Sequence, residues 1–373
     1  KEIEKFHPIE ASPAASTCAT DGKRVVSYFG SCGLVCYDLD GHQLWTYELP
    51  TAETHFDFGT GTSPIIADGM VILVRDLKSG SMALAVDLET GKERWKTERP
   101  DAMTAFSTPT VAGQGDDALV IAAGALQMKA YELHSGKERW LIRGLPAGNC
   151  TMPIVGGKQV FFAGWSPGGS DMPFPSFDVL LKLYDTNKDG ALQKDEMANS
   201  PFKNFFDNND TNHDGKITRE EWDANYRYLK LGKNSLFAFS PKGEGDITDT
   251  AIAWKQTKGL PYVASPLYFR GRIYLVKDGG LVSSFDAESG KPFYESKRLG
   301  TPGSYYASPV AAAGHIYIVS LRDGVVSVIK AESDPPEVAA QRKIDERIAA
   351  TPAIVDNRLY IRSDGHLYCF GAD

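Results

Sequence analysis

The sequence predicts an all-β protein: a seven-bladed β-propeller of four-stranded antiparallel blades, with a small α-helical calcium-binding pair inserted in blade 4. Three observations support this prediction. A short phrase recurs along the chain, a second phrase lies upstream of most copies, and two acidic loops occupy the one long interval between copies. Repeats of this length that each form a few short strands are typical of propellers.

The recurring phrase combines a strand that ends in an acidic residue with a following strand that carries an aromatic residue. It appears in CYDLDGHQLW (36–45), AVDLETGKERW (85–95), AYELHSGKERW (130–140), AFSPKGEG…AW (238–254) and SFDAESGKPFY (284–294), then in the weaker forms VIKAESDPPEV (328–338) and CFGAD (369–373). The upstream phrase, as in SPIIADGMVILV (63–74), begins with Ser/Thr-Pro and turns at Asp-Gly. Alternating β-branched residues between regular turns predict four short strands per unit.

The spacing of the copies defines the blades. Successive copies lie 41 to 49 residues apart, except for one interval of 107 residues that contains the acidic loops. The last copy ends after its third strand. We therefore expect the residues around Lys1–Lys5 to supply the fourth strand of blade 7 and close the ring.

The phrase A-x-D-x-x-T-G-K-x-x-W resembles the pyrroloquinoline-quinone (PQQ)-type propeller repeat with its tryptophan-docking motif. The resemblance covers nearly the whole chain except the insert, and it implies that Trp45, Trp95, Trp140 and Trp254 hold neighbouring blades together. Quinoprotein dehydrogenases share this repeat with non-catalytic proteins such as the lipoprotein scaffold of the bacterial outer-membrane β-barrel assembly machinery. The chain has no adjacent Cys-Cys pair and no CxxCH haem site, so PQQ is not the expected cofactor.

The two acidic loops fit the EF-hand pattern D-x-[DN]-x-[DN]-G-x5-E, whose oxygen ligands suit calcium. They are DTNKDGALQKDE (185–196) and DTNHDGKITREE (210–221), and the alternative is a pair of acidic surface loops. The expected ligands of two calcium ions are Asp185, Asn187, Asp189, Ala191, Gln193 and Glu196 in the first loop, and Asp210, Asn212, Asp214, Lys216, Thr218 and Glu221 in the second. Leu192 and Ile217 are expected to pair the loops through a short β-bridge.

The insert is predicted to span residues 166–230, and it divides the propeller into residues 1–165 and 231–373. It contains 12 acidic and 8 basic side chains, so two calcium ions would neutralise its net charge of −4. We therefore expect calcium to act as a folding ligand of the insert. The insert falls between the second and third strands of blade 4, on the face that also carries the blade-to-blade loops, where propellers usually bind ligands.

Several side chains on that face are candidate ligand-binding residues. Four basic residues occupy matching positions of four blades: Arg75, Lys277, Arg322 and Arg362. They form either a cationic rim for acidic ligands or ion pairs with the adjacent Asp76, Asp278, Asp323 and Asp364. The expected aromatic walls are Phe56, Phe106, Trp165, Tyr262 and Tyr305, and His55 is the one candidate acid/base.

Composition limits the function. A net charge of −8 argues against nucleic acid and anionic membranes as partners, and no apolar run is long enough to span a bilayer. The first residues lack a signal segment, yet millimolar extracytoplasmic calcium would fill such loops, so we expect an exported bacterial protein. A binding or scaffold role, with a protein, acidic small molecule or sugar as ligand, is favoured over catalysis. The enzymatic alternatives are a PQQ-dependent dehydrogenase and a propeller-type polysaccharide lyase.

Overall fold

The structure is a computed structural model that describes residues 3–7, 11–168 and 174–371, without the side chains of Phe56 and Asn225. Seven antiparallel sheets follow one another along the chain as the blades of a β-propeller, which confirms the predicted fold. Within the described residues, blades 1 to 6 each have four strands in sequence order, a fifth short strand adds to the edge of blade 3, and blade 7 has three.

The first strands of the blades are Ala19–Thr20, Ile65–Ala67, Thr110–Ala112, Ile154–Gly156, Leu267–Phe269, Val310–Ala312 and Ala353–Val355. The second strands are Arg24–Phe29, Met70–Arg75, Leu119–Ala123, Gln159–Gly164, Arg272–Lys277, His315–Val319 and Arg358–Arg362. The third strands are Gly33–Asp38, Met82–Asp87, Gln127–Glu132, Ser235–Phe239, Leu281–Asp286, Val325–Lys330 and Leu367–Gly371. The fourth strands are Gln43–Tyr47, Glu93–Glu98, Glu138–Arg143, Ile252–Gln256, Pro292–Arg298 and Val338–Lys343.

Hydrophobic burial between adjacent sheets forms the core of the propeller. Successive residues of one strand point to opposite faces of the sheet, so a strand whose sheet lies between two other blades needs apolar residues on both faces. The second strand of blade 2, Met70–Arg75, is buried along its whole length for this reason. Among the described residues, one buried cluster joins each of the blade pairs from 1–2 to 6–7.

The docking tryptophans lie in these interfaces, as the repeat predicted. In each case the indole Nε1 donates a hydrogen bond to a backbone carbonyl of the next blade. The pairs are Trp45 with Leu88 (3.0 Å), Trp95 with Leu133 (2.8 Å), Trp140 with Pro241 (2.8 Å) and Trp254 with Ala287 (3.0 Å). Glycine is required beside the ring, because a Cβ on Gly91 would lie 2.6 Å from Trp45 and one on Gly136 would lie 2.4 Å from Trp95.

The expected closure of blade 7 by the N-terminal residues is not what the described residues show. Residues 3–5 form no strand, and positions 1 and 2 lie outside the described residues. The Glu4 carboxylate accepts hydrogen bonds from Ser31 N (2.8 Å) and Thr60 Oγ1 (3.1 Å), which places this segment against blade 1 and the loop before blade 2. Those hydrogen bonds lower the pKa of Glu4 although its burial acts in the opposite direction.

Three of the four described α-helices lie between the second and third strands of blade 4. The described α-helices are α1 (Phe177–Tyr184), α2 (Phe206–Asn209), α3 (Arg219–Leu229) and a short α4 (Thr248–Ala251) before the fourth strand of that blade. Single 3₁₀ turns occur at His55–Asp57, Gly115–Asp117, Glu196–Asn199 and Lys203–Phe205. A two-residue strand, Gly245–Asp246, pairs in parallel with the fourth strand of blade 3.

The insert has a hydrophobic core of its own. Its fully buried side chains are Phe177, Leu180, Leu192, Met197, Phe206, Ile217 and Trp222. At its base, Ser166 N donates to Asn234 Oδ1 and Asn234 Nδ2 donates to Ser166 O, both at 3.0 Å. These two bonds hold the ends of the insert together beside the strands that they continue.

Candidate functional site

The first acidic loop folds around its own carboxylates. Asp185 accepts hydrogen bonds from Lys188 N (2.7 Å) and Gly190 N (3.1 Å). The Glu196 carboxylate lies across the loop, with Oε1 accepting from Thr186 N (2.8 Å) and Oε2 from Gln193 N (3.0 Å). The carboxylates at the first and twelfth positions are therefore held on the same loop backbone.

The second acidic loop repeats this arrangement. Asp210 accepts from Asp214 N (3.1 Å) and Gly215 N (2.9 Å). Glu221 Oε2 accepts from Thr218 N (2.8 Å), and Glu221 N donates to Thr218 Oγ1 (3.4 Å), which forms a capping box at the start of α3. Helix capping thus positions the carboxylate that is expected to bind calcium with both oxygens.

The backbone of the two loops also matches. Gly190 (φ 81°) and Gly215 (φ 84°) occupy position six with positive φ, and Lys188 (φ 62°) and His213 (φ 60°) occupy position four. Leu192 pairs with Ile217 in a two-stranded bridge, as the sequence predicted. The two loops have the same backbone conformation and carry their oxygen ligands in the same order along the chain. They therefore fit two sites for the same hard cation.

Three carboxylates of the loops have a lowered pKa. Burial acts to raise the pKa of Glu196 and Glu221, but hydrogen bonds from the loops outweigh it, and the pKa of both lies below the usual value. The hydrogen bond from Ala191 N lowers the pKa of Asp189. Ionised carboxylates with carbonyl and amide oxygens form the donor set that calcium prefers, so the residues fit the ion.

A cavity of about 450 Å³ lies between the insert and the blade-to-blade loops. The propeller contributes side chains from the loops before blades 2, 3, 4 and 5. The insert contributes aromatic residues from the segment before α1, from the segment between the two acidic loops, and from α3. The principal lining residues are His55, Phe58, Phe106, Cys150 and Tyr262 from the propeller, and Phe174, Phe202, Phe205, Trp222, Tyr226 and Tyr228 from the insert. The insert therefore forms one wall of a largely apolar site on the face where the sequence predicted one.

Hydrogen bonding and stacking fix the insert above this cavity. The Tyr228 hydroxyl donates to the backbone oxygen of Ala147, and its ring stacks on His55 with centroids 6.4 Å apart. His55 Nδ1 lies 3.1 Å from Thr104 Oγ1. Burial, with a smaller effect of Lys78, lowers the pKa of His55, so the imidazole is neutral near pH 7. Its predicted acid/base role stays a prediction.

Burial raises the pKa of the Cys150 thiol to about 12. A thiol with such a pKa is protonated at neutral pH and is a weak nucleophile. Cys150 therefore contributes an apolar surface to the cavity.

A second cleft adjoins the first at Tyr262, which lines both. It has a volume of about 480 Å³ and contains Trp165, Lys258, Lys277 and Asp278 among its lining residues. Trp165 packs edge-to-face against Tyr262, with centroids 5.7 Å apart. Four of the predicted ligand residues, His55, Trp165, Tyr262 and Lys277, are thus brought together around two neighbouring cavities.

The predicted cationic rim, by contrast, does not form as a ring of four residues. Arg75 is buried and donates to the Tyr28 hydroxyl (3.0 Å) and the Pro50 carbonyl (2.6 Å), so it is a structural residue of the interface between blades 1 and 2. Arg322 and Arg362 are exposed and line neither cavity.

Within the described residues, the alternative ion pair with the adjacent aspartate is found at none of the four positions, Arg322 and Asp323 included. Asp76 forms a buried ion pair with Arg99 at 2.6 Å, and Asp278 accepts from Tyr305 N (2.9 Å). Asp364 lies 3.4 Å from Arg347, while Arg362 Nε donates to the Ser363 carbonyl.

The predicted aromatic walls are found in part. Phe106 lines the first cavity, whereas Tyr305 is buried in the core between blades 5 and 6, where its hydroxyl donates to Thr301 O (3.0 Å). The side chain of Phe56 lies outside the described residues.

The cavity-lining residues that the sequence analysis did not predict come mainly from the insert. Trp222, Tyr226 and Leu229 are four and three residues apart, so they share one face of α3, and this spacing was a usable signal.

Comparison with known proteins gives separate matches for the propeller and for the insert. The sequence profile of the family described as outer membrane protein assembly factor BamB matches residues 6–163 and 239–373, and the EF-hand profile matches residues 177–199 and 202–224. A search of curated proteins gave no match.

Two solved structures illustrate the likeness in fold. The crystal structure of BamB from Moraxella catarrhalis has a TM-score of 0.60 and 15% identity, and the match covers 95% of this chain and 84% of that chain. A europium-containing methanol dehydrogenase has a TM-score of 0.50 and 11% identity, and the match covers 93% of this chain and 75% of that chain. At these identities the likeness shows the fold alone.

Proposed function

Because the chain belongs to the family described as outer membrane protein assembly factor BamB, we propose that it is an exported, calcium-stabilised binding or scaffold propeller whose ligand binds on the face carrying the insert. Within the described residues, none of the helices is long and apolar enough to cross a bilayer. Export is part of the proposal because extracytoplasmic calcium is abundant enough to occupy even modest EF-hand loops.

The cavity beneath the insert is the observation that carries this proposal. A concave apolar site with a few polar groups is the usual form of a ligand pocket. Here Phe205 and Tyr262 leave 42% and 39% of their surface exposed at the mouth. Exposed aromatic side chains beside a pocket are typical anchors of protein–protein interfaces. The function that fits is recognition of a segment of a partner protein.

The adjoining cleft favours a ligand with a negatively charged group. Lys258 and Lys277 line it together with one acidic residue, Asp278. A ligand that fills both cavities would place an apolar group under the insert and an acidic group beside these lysines. We therefore propose that the recognised segment carries an aromatic or aliphatic side chain close to an Asp or Glu.

Calcium enters the proposal as a stabiliser of the wall that the insert provides. Two ions would be held by the oxygens of residues 185–196 and 210–221. The second loop leads directly into α3, whose Trp222, Tyr226 and Tyr228 line the cavity. Ordering the loop by calcium therefore fixes the wall of the ligand site.

Two fluorescent probes test the site without knowledge of the partner. Anilinonaphthalene sulfonate has aromatic rings and an anionic group, and N-phenylnaphthylamine has similar rings without the charge. We expect one-to-one binding of both probes in calcium and weaker binding of both to Phe205→Ala. Lys277→Gln should weaken only the anionic probe. Phe293→Ala and Lys291→Gln, exposed residues of blade 5 and of the turn before its fourth strand, are the matched controls.

The probe titrations, together with a titration with PQQ and an assay with an acidic polysaccharide, distinguish the proposed function from its alternatives. Equal binding of the probes by wild type and Phe205→Ala would exclude the cavity as the ligand site. Formation of a cofactor absorbance band on titration with PQQ, or turnover of an acidic polysaccharide, would replace the scaffold function by an enzymatic one.

A further inference from the structure

Residues 3–7 lie on the loops of blades 1 and 2, on the face that carries the insert. Of these residues only Glu4 is buried, with 5% of its surface exposed. Lys5 lies 3.8 Å from Asp57, but 82% and 56% of these two side chains are exposed, so solvent screens their attraction. One buried carboxylate is therefore the main anchor of a segment that is otherwise exposed or half-buried.

The propeller provides a shaped pocket for this carboxylate. Ser31 N (2.8 Å) and Thr60 Oγ1 (3.1 Å) donate hydrogen bonds to it, and these two donor residues are 0% and 8% exposed. A Cβ on Gly30 would lie 1.6 Å from Glu4 Oε1, so the carboxylate fills the space that any larger residue would occupy. The pocket thus has buried donors and a glycine that leaves room for one carboxylate.

The groove continues from this pocket towards the cavity beneath the insert. A Cβ on Gly59 would lie 3.0 Å from the Cβ of Phe6, so the loop before blade 2 approaches the segment closely. The next ring along the segment, His7, stacks on Phe58 with centroids 5.4 Å apart, and Phe58 also lines the cavity. The segment therefore presents a glutamate to the pocket and an aromatic residue two positions later to the loop.

The pocket also holds a cation whose hydrogen-bonding capacity is incompletely used. Arg75 is 1% exposed, and its Nη2 lies 3.5 Å from the Gly30 carbonyl, beside the residue that the Glu4 carboxylate contacts. In the part of the chain that the structure describes, Arg75 Nη1 is buried without a hydrogen-bond partner. An unsatisfied buried donor is costly, most of all a charged one. A carboxylate that satisfied this donor as well would bind more tightly than Glu4 does.

We propose that this site binds an acidic segment of a partner protein, and that residues 3–7 are an internal occupant which the partner displaces. The site, termed the carboxylate groove, consists of Gly30, Ser31, Gly59, Thr60 and Arg75. Its internal occupant defines the partner's chemistry, which is a glutamate followed two positions later by an aromatic residue. The carboxylate groove is separate from the cavity beneath the insert and does not depend on the function proposed for that cavity.

Exchange is favoured because the internal segment has so few buried contacts. A segment with little buried surface opens locally at a small free-energy cost, without unfolding of the blades beneath it. A tethered segment competes at an effective concentration on the order of millimolar. A partner segment therefore displaces residues 3–7 when its own contacts, including one to Arg75, outweigh this advantage.

A peptide of residues 3–7, acetylated, amidated and fluorescently labelled, tests whether the carboxylate groove binds such a segment from another molecule. Fluorescence anisotropy should show one-to-one binding to the full chain carrying Glu4→Ala. Binding to the wild type should be roughly tenfold weaker or more, because the internal segment competes. The matched control peptide carries Glu4→Gln. It should bind the Glu4→Ala chain roughly tenfold more weakly, because it lacks the charge that strengthens the hydrogen bonds.

Further substitutions in the Glu4→Ala chain locate the bound peptide. Thr60→Val removes the donor hydroxyl and keeps the shape of the side chain, so peptide binding should weaken roughly tenfold. Thr46→Val, at an exposed position of the fourth strand of blade 1, is the matched control and should bind the peptide unchanged. Phe205→Ala alters the cavity beneath the insert and should also leave peptide binding unchanged. The carboxylate groove and the cavity can therefore fail separately.

Trypsin cleavage after Lys5 measures displacement in the wild-type chain, and this measurement holds even if Glu4→Ala does not fold. The added peptide carries Lys5→Gln, so that trypsin does not cut it. At saturation it should raise the cleavage rate after Lys5 of the protein roughly fivefold or more, because the segment is cut only when it leaves the groove. The same peptide with Glu4→Gln in addition should leave the rate unchanged.

Four results would overturn the proposal. If the peptide does not bind a folded Glu4→Ala chain, or does not change cleavage of the wild type, residues 3–7 are a fixed part of the fold. Equal binding of the Glu4→Gln peptide would show that the pocket does not recognise a carboxylate. Loss of peptide binding on Phe205→Ala would place the peptide in the cavity beneath the insert.

Discussion

Blade 2 and the insert are stabilised by different interactions. In blade 2 the second strand is buried from Met70 to Arg75, and its neighbours on both faces are apolar sheet residues. The insert has a small core, and beside that core it holds two loops that each carry four carboxylates within twelve residues. Hydrophobic burial needs no cofactor, whereas adjacent carboxylates repel each other unless a cation joins them.

This comparison predicts that the two regions respond to different perturbations. A truncation in a blade interface should destabilise the propeller equally with and without calcium. Removal of calcium should loosen the insert and leave the blade interfaces folded. The following predictions test this separation, beginning with the largest effect.

Trp95→Ala should lower the free energy of unfolding of the propeller by about 3–5 kcal/mol, as for other large truncations in a core. The side chain is 7% exposed, and the variant loses both its packing on Gly136 and its bond to the Leu133 carbonyl. Denaturant unfolding in calcium and in a chelator measures the loss. Trp95→Phe, which keeps an aromatic ring, is the control and should lose less. A loss below about 1 kcal/mol would contradict the docking role.

Calcium at a hundredfold excess over its dissociation constant should stabilise the insert by about 2.7 kcal/mol, because it binds only the folded loops. Titration calorimetry after chelation should show two sites. Glu196→Gln combined with Glu221→Gln should weaken both sites, since each replacement removes a carboxylate that lies across its loop. Glu220→Gln, at an exposed neighbouring position, should bind calcium as the wild type does. No heat of binding in the wild type would contradict the assignment.

Replacing residues 168–230 by a short Gly-Ser linker should remove the calcium sites and leave a folded propeller. The Ser166–Asn234 bonds keep the two ends of the insert together, so a short linker can join them. In this background Trp95→Ala should cost the same as in the full chain, within about 0.5 kcal/mol, because the sites are distant and independent. Loss of the cooperative unfolding transition on deletion would show that the propeller depends on the insert.

The sequence correctly predicted the features that depend on interactions between residues close together in the chain. A strand, a turn and an EF-hand loop are determined by residues close in sequence. The repeat therefore predicted the blades, and the EF-hand pattern predicted the bridge between Leu192 and Ile217. The docking tryptophans were found because the repeat presents the same contact several times.

The basic rim failed for a related reason. Adjacent residues of a strand point to opposite faces, so Arg75 reaches Tyr28 in blade 1 while Asp76 meets Arg99, which is 23 positions further along the chain. The cavity depends on where α3 lies over the blade loops, and the Tyr228 contact with Ala147 spans 81 positions. Contacts at that separation leave no local pattern in a single sequence.

The smallest predicted effect concerns the acidic residue that ends the third strand in the repeat. Asp87 accepts hydrogen bonds from Thr90 N (2.8 Å) and Thr90 Oγ1 (2.7 Å), and it pairs with Arg94. The hydrogen bond from the Thr90 hydroxyl and the pair with Arg94 lower the pKa of Asp87 to about 2. An unfolded aspartate titrates near pH 3.9, at about the value of a model peptide.

Since the folded pKa is the lower one, Asp87 stabilises the propeller above pH about 4, and this contribution is lost as the pH falls towards about 2. Asp87→Asn should therefore lower the free energy of unfolding at pH 7 by about 1 kcal/mol or less, because the carboxylate is close to solvent and screened. The difference from wild type should shrink between pH 4 and pH 2. Thermal unfolding across this range measures it, in the deletion background so that the calcium loops do not contribute. Asp116→Asn, at an exposed loop position, should show no pH-dependent difference. A difference for Asp87→Asn that persists unchanged at pH 2 would mean that the turn depends on the shape of the side chain, with no contribution from its charge.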